Sequence, residues 1–230
     1  MAPSGREAKK QDKRRRIREA AAALFRERGW EGTTTRAIAE RAAIATGTLF
    51  LYVRDKDEAL ALVYGEEVDA ALASGSATRP RRARFVAGVA HRLRPLYALY
   101  AEHPDLALRF VRRIPTLEDA EKVEHEARNE RFLAVVRDEV VRAVATGELR
   151  ADLDVALASR TLFAVVRMQV FAWLASAAAP GGASRPSVDA GLAELGATLD
   201  LLSSGLGSPR AVARPPRAAR RPGRAKRTSA

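Results

Sequence analysis

Residues 34–52 have the sequence TTRAIAERAAIATGTLFLY, and this stretch decides the fold. Apolar residues recur at helical spacing on both sides of Ala42, Ala43 and Ile44. The pattern predicts two short helices joined by a tight turn, with Thr34 as the N-cap of the first. Ile38 and Leu49 are expected to fill the core beneath them. This spacing is typical of a helix-turn-helix.

Helical periodicity continues on both sides of the motif, and no convincing strand pattern interrupts it. In the first helix an apolar stripe lies at 17–25, and we expect Asp12 to cap its start and Gly29 to end it. After the first motif helix, further helices are predicted at about 45–52, 56–74, 81–102, 104–113, 116–146, 154–178 and 187–204. The sequence therefore predicts an all-α protein of about nine helices.

Positive charge is concentrated at the two ends of the chain. The formal net charge is +12; residues 1–18 carry eight Lys and Arg against two acids, and residues 206–230 carry eight against none. From residue 206 the composition changes to Ala, Arg, Pro and Gly, which predicts a disordered tail. Basic ends favour a polyanionic partner, and the alternative is that they are solvated tails.

Several functional classes lack support in the sequence. The chain has no cysteine, and its three histidines lack the spacing of metal ligands, so we expect no metal site and no cofactor. No catalytic triad, paired carboxylates or phosphate-binding glycine loop is recognisable, so no enzyme is predicted. The N-terminus has no apolar core of a secretory signal, and polar residues interrupt the apolar stretch at 162–179. We expect a soluble, cytoplasmic protein without a membrane partner.

Residues 17–60 resemble the N-terminal domain of the TetR family of bacterial transcriptional repressors. The matching pieces are AA..LF...G at 21–29, TT at 34–35, IA..A at 38–42, GTL at 47–49 and Y…K…L at 52–60. The resemblance implies a three-helix DNA-binding domain followed by a larger helical domain for ligand binding and dimerisation. The expected divisions are a basic arm at 1–12, a DNA-binding domain at 13–58 with its motif at 34–53, a helical domain at 59–205 and a tail at 206–230.

The resemblance also implies DNA contacts for particular residues. Threonines of the second motif helix would face the major groove, Arg36 would reach a base edge or a phosphate, and the others would bond or approach the DNA backbone. The set is Thr34, Thr35, Arg36, Thr46, Gly47, Thr48, Phe50, Tyr52 and Lys56. Ala45, Thr46 and Phe50 depart from the family pattern, and Phe50 cannot donate to a phosphate. We expect recognition to depend more on Arg36, the threonine methyl groups, DNA shape and the basic arm, which would enter the adjacent minor groove or follow phosphates.

Two apolar helices near the end of the chain suggest a homodimer. Leucines of the last helix recur at heptad spacing, and the helix before it is apolar nearly all round. The predicted interface residues are Leu162, Val166, Val170, Val188, Leu192, Leu195, Leu199 and Leu202. In the TetR family such a pair forms a four-helix bundle between two subunits. The resulting dimer binds a palindromic operator of double-stranded DNA. The alternative is that both helices are internal to one chain.

An effector site is expected between the DNA-binding domain and these helices. Candidate contacts are polar or aromatic residues in apolar surroundings: His91, Arg94, Tyr97, Tyr100, Arg109, Arg167, Gln169 and Trp173. A buried Arg167 requires a partner, either an acid across the dimer or an anionic ligand. The predicted function is a sequence-specific DNA-binding regulator, a repressor that a small-molecule effector releases from its operator. The alternative is an architectural DNA-binding protein that needs no ligand.

Overall fold

The computed structural model describes residues 5–113, 119–178 and 185–205, with only the backbone for 119–124. Within these ranges the chain forms nine helices and no strand, which confirms the predicted fold class. The helices are α1 (Gly5–Arg28), α2 (Thr35–Arg41), α3 (Thr46–Leu49), α4 (Lys56–Ala77), α5 (Phe85–Glu102), α6 (Pro104–Arg113), α7 (Asp119–Ala145), α8 (Val155–Ala177) and α9 (Val188–Ser204). The predicted tail at 206–230 and the predicted start of the helix at 116–146 lie outside the described residues.

The start of α1 differs from the prediction. The helix begins at Gly5, so Asp12 lies inside it and pairs with Arg15 instead of capping the first turn. Residues 5–12 of the expected arm are therefore the first two turns of a continuous helix. Gly29 ends α1 as predicted, with a φ of 65° in the left-handed region that glycine adopts at low cost.

The helix-turn-helix has the predicted turn but a shorter second helix. Thr34 caps α2, because its side chain accepts a hydrogen bond from the backbone N–H of Ala37. Ala43 adopts a φ of 51° in the tight turn. The predicted helix at 45–52 reduces to the single turn α3, after which Leu51 and Tyr52 donate to carbonyls three residues back. Gly47 lowers helix propensity inside this short segment.

Helix α4 connects the helix-turn-helix to the rest of the protein. It begins at Lys56 as predicted, and the side chain of Asp55 caps it by accepting from Glu58 N–H. The helix packs on α1 at one end and on α5 along its length, so the predicted domain boundary at 58/59 falls inside a continuous helix. Arg18 and Arg26 of α1 form ion pairs with glutamates in the middle of α4. The DNA-binding helices are thus attached to α4 over about half its length.

The C-terminal end of α4 is fixed by buried charges, which we call the buried ion cluster (Arg79, Arg92, Asp138 and Glu139). Glu139 of α7 is fully buried and accepts from Arg79 Nη2 at 2.7 Å and from Arg92 Nη1 at 3.2 Å. Arg92 also donates to Asp138 and to the hydroxyl of Ser76 in α4. A buried guanidinium is tolerated when carboxylates and hydrogen bonds compensate its lost hydration. The cluster therefore joins α4, α5 and α7 at the end far from the helix-turn-helix.

Helix α8 is long and apolar enough to cross a membrane by length and composition, and only 17% of its most apolar window is buried. Its polar side chains contact neighbouring helices: Arg167 donates to Asn129 of α7, and Gln169 donates to Thr198 of α9. Such contacts fit a helix packed against protein on at least two sides. The remaining apolar surface of α8 is exposed in the single chain.

Candidate DNA interface and ligand cavity

The start of α2 presents polar groups to solvent. Thr34 is exposed, and Thr35 is the first residue of the helix. The Arg36 side chain is 82% exposed and its Nε lies 2.9 Å from Glu40 Oε1. An ion pair this exposed contributes little to stability, so a DNA phosphate or base edge can replace the glutamate at small cost. The position of Arg36 is compatible with its predicted contact.

Helix α3 exposes its small residues and buries its leucine. Leu49 is fully buried beneath the helix, whereas Thr46 and Gly47 are exposed and Thr48 is half-buried. A Cβ added at Gly47 would meet no protein atom within 4 Å, so the missing side chain leaves the backbone open to an approaching surface. Phe50, just after the helix, is 48% exposed. The outer face of α3 therefore carries only short side chains and is largely apolar.

Lys56, which was expected to clamp the DNA backbone, contacts protein in this structure. Its Nζ donates to the carbonyl of Trp30 at 2.7 Å and lies 4.2 Å from the centroid of the Trp30 ring. Arg109 of α6 lies over the same ring at 4.0 Å, and its Nη1 is 3.8 Å from Asp57. Trp30 follows α1, so these contacts join α6 to the DNA-binding helices. Tyr52 is half-buried beside α1.

A small cavity lies among α4, α5, α6, α7 and α8. It encloses about 50 Å³. Most of its walls are apolar or aromatic, and its polar groups come from α7 and α8. The lining residues are Val68, Leu96, Tyr100, Phe110, Val111, His125, Arg128, Asn129, Phe132, Arg167 and Val170.

Two arginines, Arg128 and Arg167, give the cavity its charge, and we call them the cavity arginines. Arg167 Nη1 donates to Asn129 Oδ1 at 2.8 Å, and Arg128 Nε donates to the carbonyl of Gly65 in α4 at 3.3 Å. Among the described residues no carboxylate pairs with either guanidinium. Burial lowers the pKa of Arg167. The cavity thus has a cationic end without a compensating anion from the described part of the chain.

His125 completes this polar end. Its Nε2 lies 2.8 Å from Asn129 Nδ2, and burial together with the charges of Arg167 and Arg128 lowers the pKa of His125 to about 4. The imidazole is therefore neutral at physiological pH and, with its Nε2 as acceptor, orients the Asn129 amide. Tyr100 is buried in the wall nearby, and its burial raises the pKa of the phenol, which stays protonated.

Comparison with known proteins identifies the domain that contains the candidate DNA interface. Residues 17–62 match the family model described as bacterial regulatory proteins, tetR family. These residues form a TetR-type DNA-binding domain. The chain is a DNA-binding transcriptional regulator, and the helix-turn-helix of α2 and α3 lies inside the matched range.

Similarity to known proteins extends over the larger half of the chain. The fatty acid metabolism regulator protein of Bacillus subtilis (strain 168) is 23% identical over 167 residues, which are 72% of this chain and 85% of that protein. The structure of FadR from Thermus thermophilus in complex with lauroyl-CoA is similar with a TM-score of 0.64, 24% identity and coverage of 91% of this chain and 99% of that one. FadR from Bacillus subtilis in complex with stearoyl-CoA gives a TM-score of 0.60 and 19% identity, over 84% and 98% of the two chains. At these identities the structural likeness shows a shared fold.

The structure brings only two of the predicted effector contacts to the cavity, Tyr100 and Arg167. Tyr97 and Trp173 pack against each other in the core with ring centroids 4.7 Å apart. Gly191 of α9 fits against both rings, because a Cβ there would lie 2.7 Å from Trp173 Nε1. These two aromatic residues are therefore part of the packing among α5, α8 and α9.

The remaining predicted contacts lie away from the cavity. His91 is 3.2 Å from the hydroxyl of Thr78, and Arg94 is exposed and pairs with Asp189. Gln169 bonds α9, and Arg109 contacts Trp30. Helical spacing alone placed these side chains in apolar surroundings, but each reaches a polar partner at the edge of a helix contact.

Sequence analysis missed the α7 side of the cavity. His125 and Asn129 are spaced i, i+4 and therefore share a face, and Phe132 follows one turn later. Polar residues in line with an aromatic one on a charged helix were the available signal. The burial of that face depends on α4 and α8, which the sequence of α7 does not specify.

The heptad residues also have a different place from the one expected. Within one chain α9 packs on α5 and on α8, and five of the eight predicted interface residues are buried in the chain's own core: Val166, Val170, Leu192, Leu195 and Leu199. Leu162 and Val188 are half-buried. The large apolar residues that α8 and α9 leave exposed are Leu157, Met168, Leu201 and Leu202, of which Leu202 belongs to the predicted interface. Their own chain's core covers most of the heptad seam, as in the alternative that both helices are internal to one chain.

Proposed function

We propose that this protein is a homodimeric repressor that binds a palindromic operator and leaves it when a long-chain acyl-CoA enters the cavity. The observation that carries the effector assignment is the pair of cavity arginines, which lack a carboxylate partner among the described residues and lie beside apolar walls. An amphiphile with an apolar chain and an anionic head complements such a site. FadR proteins of the same fold have been solved with lauroyl-CoA and stearoyl-CoA.

The chemistry of the cavity assigns the two ends of the ligand. Val68, Leu96 and Phe110 belong to the apolar walls, and we assign them to the acyl chain. Arg128, Arg167 and Asn129 form the polar end and would bind the thioester carbonyl or the phosphates of the coenzyme. No metal ion or redox cofactor is required for this role, since the ligand is bound and not transformed.

The size of the cavity implies movement. About 50 Å³ is much smaller than the roughly 300–1,000 Å³ of typical ligand sites, so the surrounding helices must separate to admit an acyl chain. Phe110 and Val111 of α6 line the cavity, and Arg109 of the same helix contacts Trp30 beside the DNA-binding helices. Displacement of α6 by the ligand would therefore change the position of those helices. An effector acts in this way when it binds the displaced state more tightly than the other.

A second connection leads from the cavity to α4. Arg128 lies against Gly65 so closely that a Cβ there would be 2.3 Å from Arg128 Nη2. An anion that draws Arg128 toward the cavity would break its bond to the Gly65 carbonyl. Since α4 begins at the helix-turn-helix, both connections end at the DNA-binding domain.

For DNA recognition we propose the nine residues inferred from the family pattern, with Arg36 as the base or backbone contact of longest reach. Thr46, Gly47 and Thr48 would bring α3 close to base edges, and Phe50 would make apolar contact. Lys56 would reach the backbone only by leaving Trp30. The dimer would use the exposed apolar residues of α8 and α9, because a helix-turn-helix reads two half-sites through a two-fold axis. We expect the protein to act in the cytoplasm.

Selection of binding sites from random double-stranded DNA tests the DNA assignment. We expect a palindromic motif, and R36A should weaken binding to it by about 1–3 kcal/mol per half-site. R150A, which removes an exposed arginine in the larger half, serves as the control and should leave affinity unchanged. Selection of no motif would contradict the proposal and favour an architectural protein that coats DNA.

Calorimetry tests the effector assignment separately. Lauroyl-CoA and stearoyl-CoA should bind to the purified protein, while coenzyme A alone should bind at least 100-fold more weakly, because each buried methylene contributes about 0.8 kcal/mol. Equal affinity for coenzyme A and its acyl esters would show that the apolar walls are not used.

A further inference from the structure

We propose that the first turns of α1 hold the DNA backbone beside each half-site through a basic stripe made of Arg6, Lys9, Lys10 and Lys13. This inference rests on the proposed binding of DNA by the helix-turn-helix. The stripe lies outside the matched family domain, which starts at residue 17. It is therefore a feature of this chain that the family match does not assign.

The stripe has the geometry of a single helix face. Its residues are spaced i, i+3, i+4 and i+7 within the continuous helix α1, so their side chains point to the same side. From Arg6 to Lys13 the helix rises about 10 Å. That length corresponds to about three nucleotides along one DNA strand, which rises about 3.4 Å per phosphate.

An open groove places this stripe next to the recognition helix. All four basic residues line it, together with Leu51 and Tyr52 from the turn after α3. The groove has a volume of about 790 Å³, and Glu7 is the one acidic residue among those lining it. A duplex with its major groove on α3 would bring a phosphate strand past the end of that helix. The charge of the groove matches that occupant.

The helical form of this segment decides how it binds. The minor groove is about 6 Å wide, whereas an α-helix with side chains is about 10–12 Å across. A helical α1 start therefore cannot enter the minor groove as an extended arm would. It must lie along the outside of the backbone, where lysine and arginine ends reach phosphates. Leu51, whose surface is 82% exposed, would then contact sugar carbons at the same edge.

The salt dependence of operator binding tests the stripe. The variant R6Q/K9Q/K10Q/K13Q removes four charges with a residue that favours helix, and R81Q/R82Q/R137Q/R142Q removes four exposed charges from the larger half as the matched control. We expect the slope of log Kd against log salt to fall by about 3–4 per subunit in the first variant and by less than one in the control. Circular dichroism should confirm equal helix content.

Neutral phosphates locate the contact. Single methylphosphonate substitutions in the operator should weaken binding of the wild-type protein at two to four adjacent phosphates per half-site. At those same positions they should leave binding of the quadruple variant unchanged. An unchanged slope, an equal loss in both variants, or no position at which the two proteins differ would overturn the inference. In each of these results the wild type still selects its palindrome, so the proposed function survives; a wild type that selects no motif would refute both.

Discussion

Arg79 and Arg92 share the buried carboxylate of Glu139, whereas Arg128 and Arg167 bond only a carbonyl and an amide oxygen among the described residues. Both pairs lie in the larger half of the molecule and involve α7. In the buried ion cluster, carboxylates compensate the lost hydration of the guanidinium groups. At the cavity the compensation is incomplete, and the pKa of Arg167 is lowered by burial.

The difference separates a structural site from the proposed binding site. A chain that only needed to fill space between α7 and α8 would be more stable with apolar residues at the cavity. Arginines kept there without a carboxylate among the described residues fit the proposed anionic effector, which would arrive from outside the chain. The positions of the two sites in the fold agree with this distinction. The buried ion cluster fixes α4 at the end far from the helix-turn-helix, and the cavity lies nearer the DNA-binding helices.

The largest expected effect is on stability. Glu139→Gln leaves two buried guanidinium groups without their shared anion and should lower the free energy of unfolding by about 3–5 kcal/mol. Asp138→Asn removes a carboxylate whose side chain is 57% exposed, and it should cost less than about 1 kcal/mol. Urea denaturation at one protein concentration measures both. If both variants lost the same free energy of unfolding, the buried carboxylate of Glu139 would not be what holds the end of α4 in place.

At the cavity the opposite pattern is expected. Arg167→Met removes a buried charge that no described carboxylate compensates, so the free energy of unfolding should change by less than about 1 kcal/mol. Affinity for lauroyl-CoA should fall about 10–100-fold, the value of a hydrogen bond to a charged group. R94Q, at an exposed ion pair away from the cavity, is the control and should bind lauroyl-CoA normally. A destabilised R167M with normal ligand affinity would make Arg167 a structural residue like Arg92.

Arg109 gives a smaller, regulatory effect. Arg109→Ala removes the contact of α6 with Trp30 and Asp57 but leaves the cavity lining intact. We expect R109A to bind lauroyl-CoA with wild-type affinity. Adding the ligand should reduce its operator affinity at least fivefold less than it reduces that of the wild type, which lies within the usual range of coupling between two sites. R112A, the exposed neighbour over Phe171, is the matched control. Fluorescence anisotropy of labelled operator measures the loss, and an unchanged response in R109A would exclude this route.

The smallest effect is on His125. Because Arg128 and Arg167 help to lower its pKa to about 4, an anion bound between them should raise that pKa toward the ordinary value of about 6.5. Ligand and proton would then bind cooperatively, so ligand affinity rises as the pH falls through the pKa of the complex and levels off below about 4. NMR titration of the imidazole with and without lauroyl-CoA measures the shift. An unchanged pKa would place the anion elsewhere.

Local signals in the sequence predicted most of the fold. Thr34 caps α2, Gly29 ends α1 and α6 spans 104–113 as expected, because caps, glycines and prolines act on their immediate neighbours. The predicted start of α1 was wrong, because the helix continues back to Gly5. An aspartate such as Asp12 is favourable both as an N-cap and inside a charged helix, so it does not mark where the helix begins.

The candidate site was less predictable for a physical reason. A periodic apolar face shows that a helix is covered but does not show which surface covers it. The heptad of α9 is therefore compatible with both a dimer seam and its observed packing on α5. Arg128 was overlooked because its burial depends on Gly65 in a helix more than sixty residues earlier. Arg167 was found because a charge inside an apolar run is visible without knowing its neighbours.

Release of the operator by acyl-CoA tests the central claim most directly. Labelled operator bound to the wild-type dimer should be displaced by lauroyl-CoA or stearoyl-CoA but not by coenzyme A alone. R128Q/R167Q should bind the operator with wild-type affinity and stay bound at the same acyl-CoA concentrations. If the wild type keeps its operator affinity while acyl-CoA is bound, or if R128Q/R167Q is released as readily, the cavity arginines do not sense the effector.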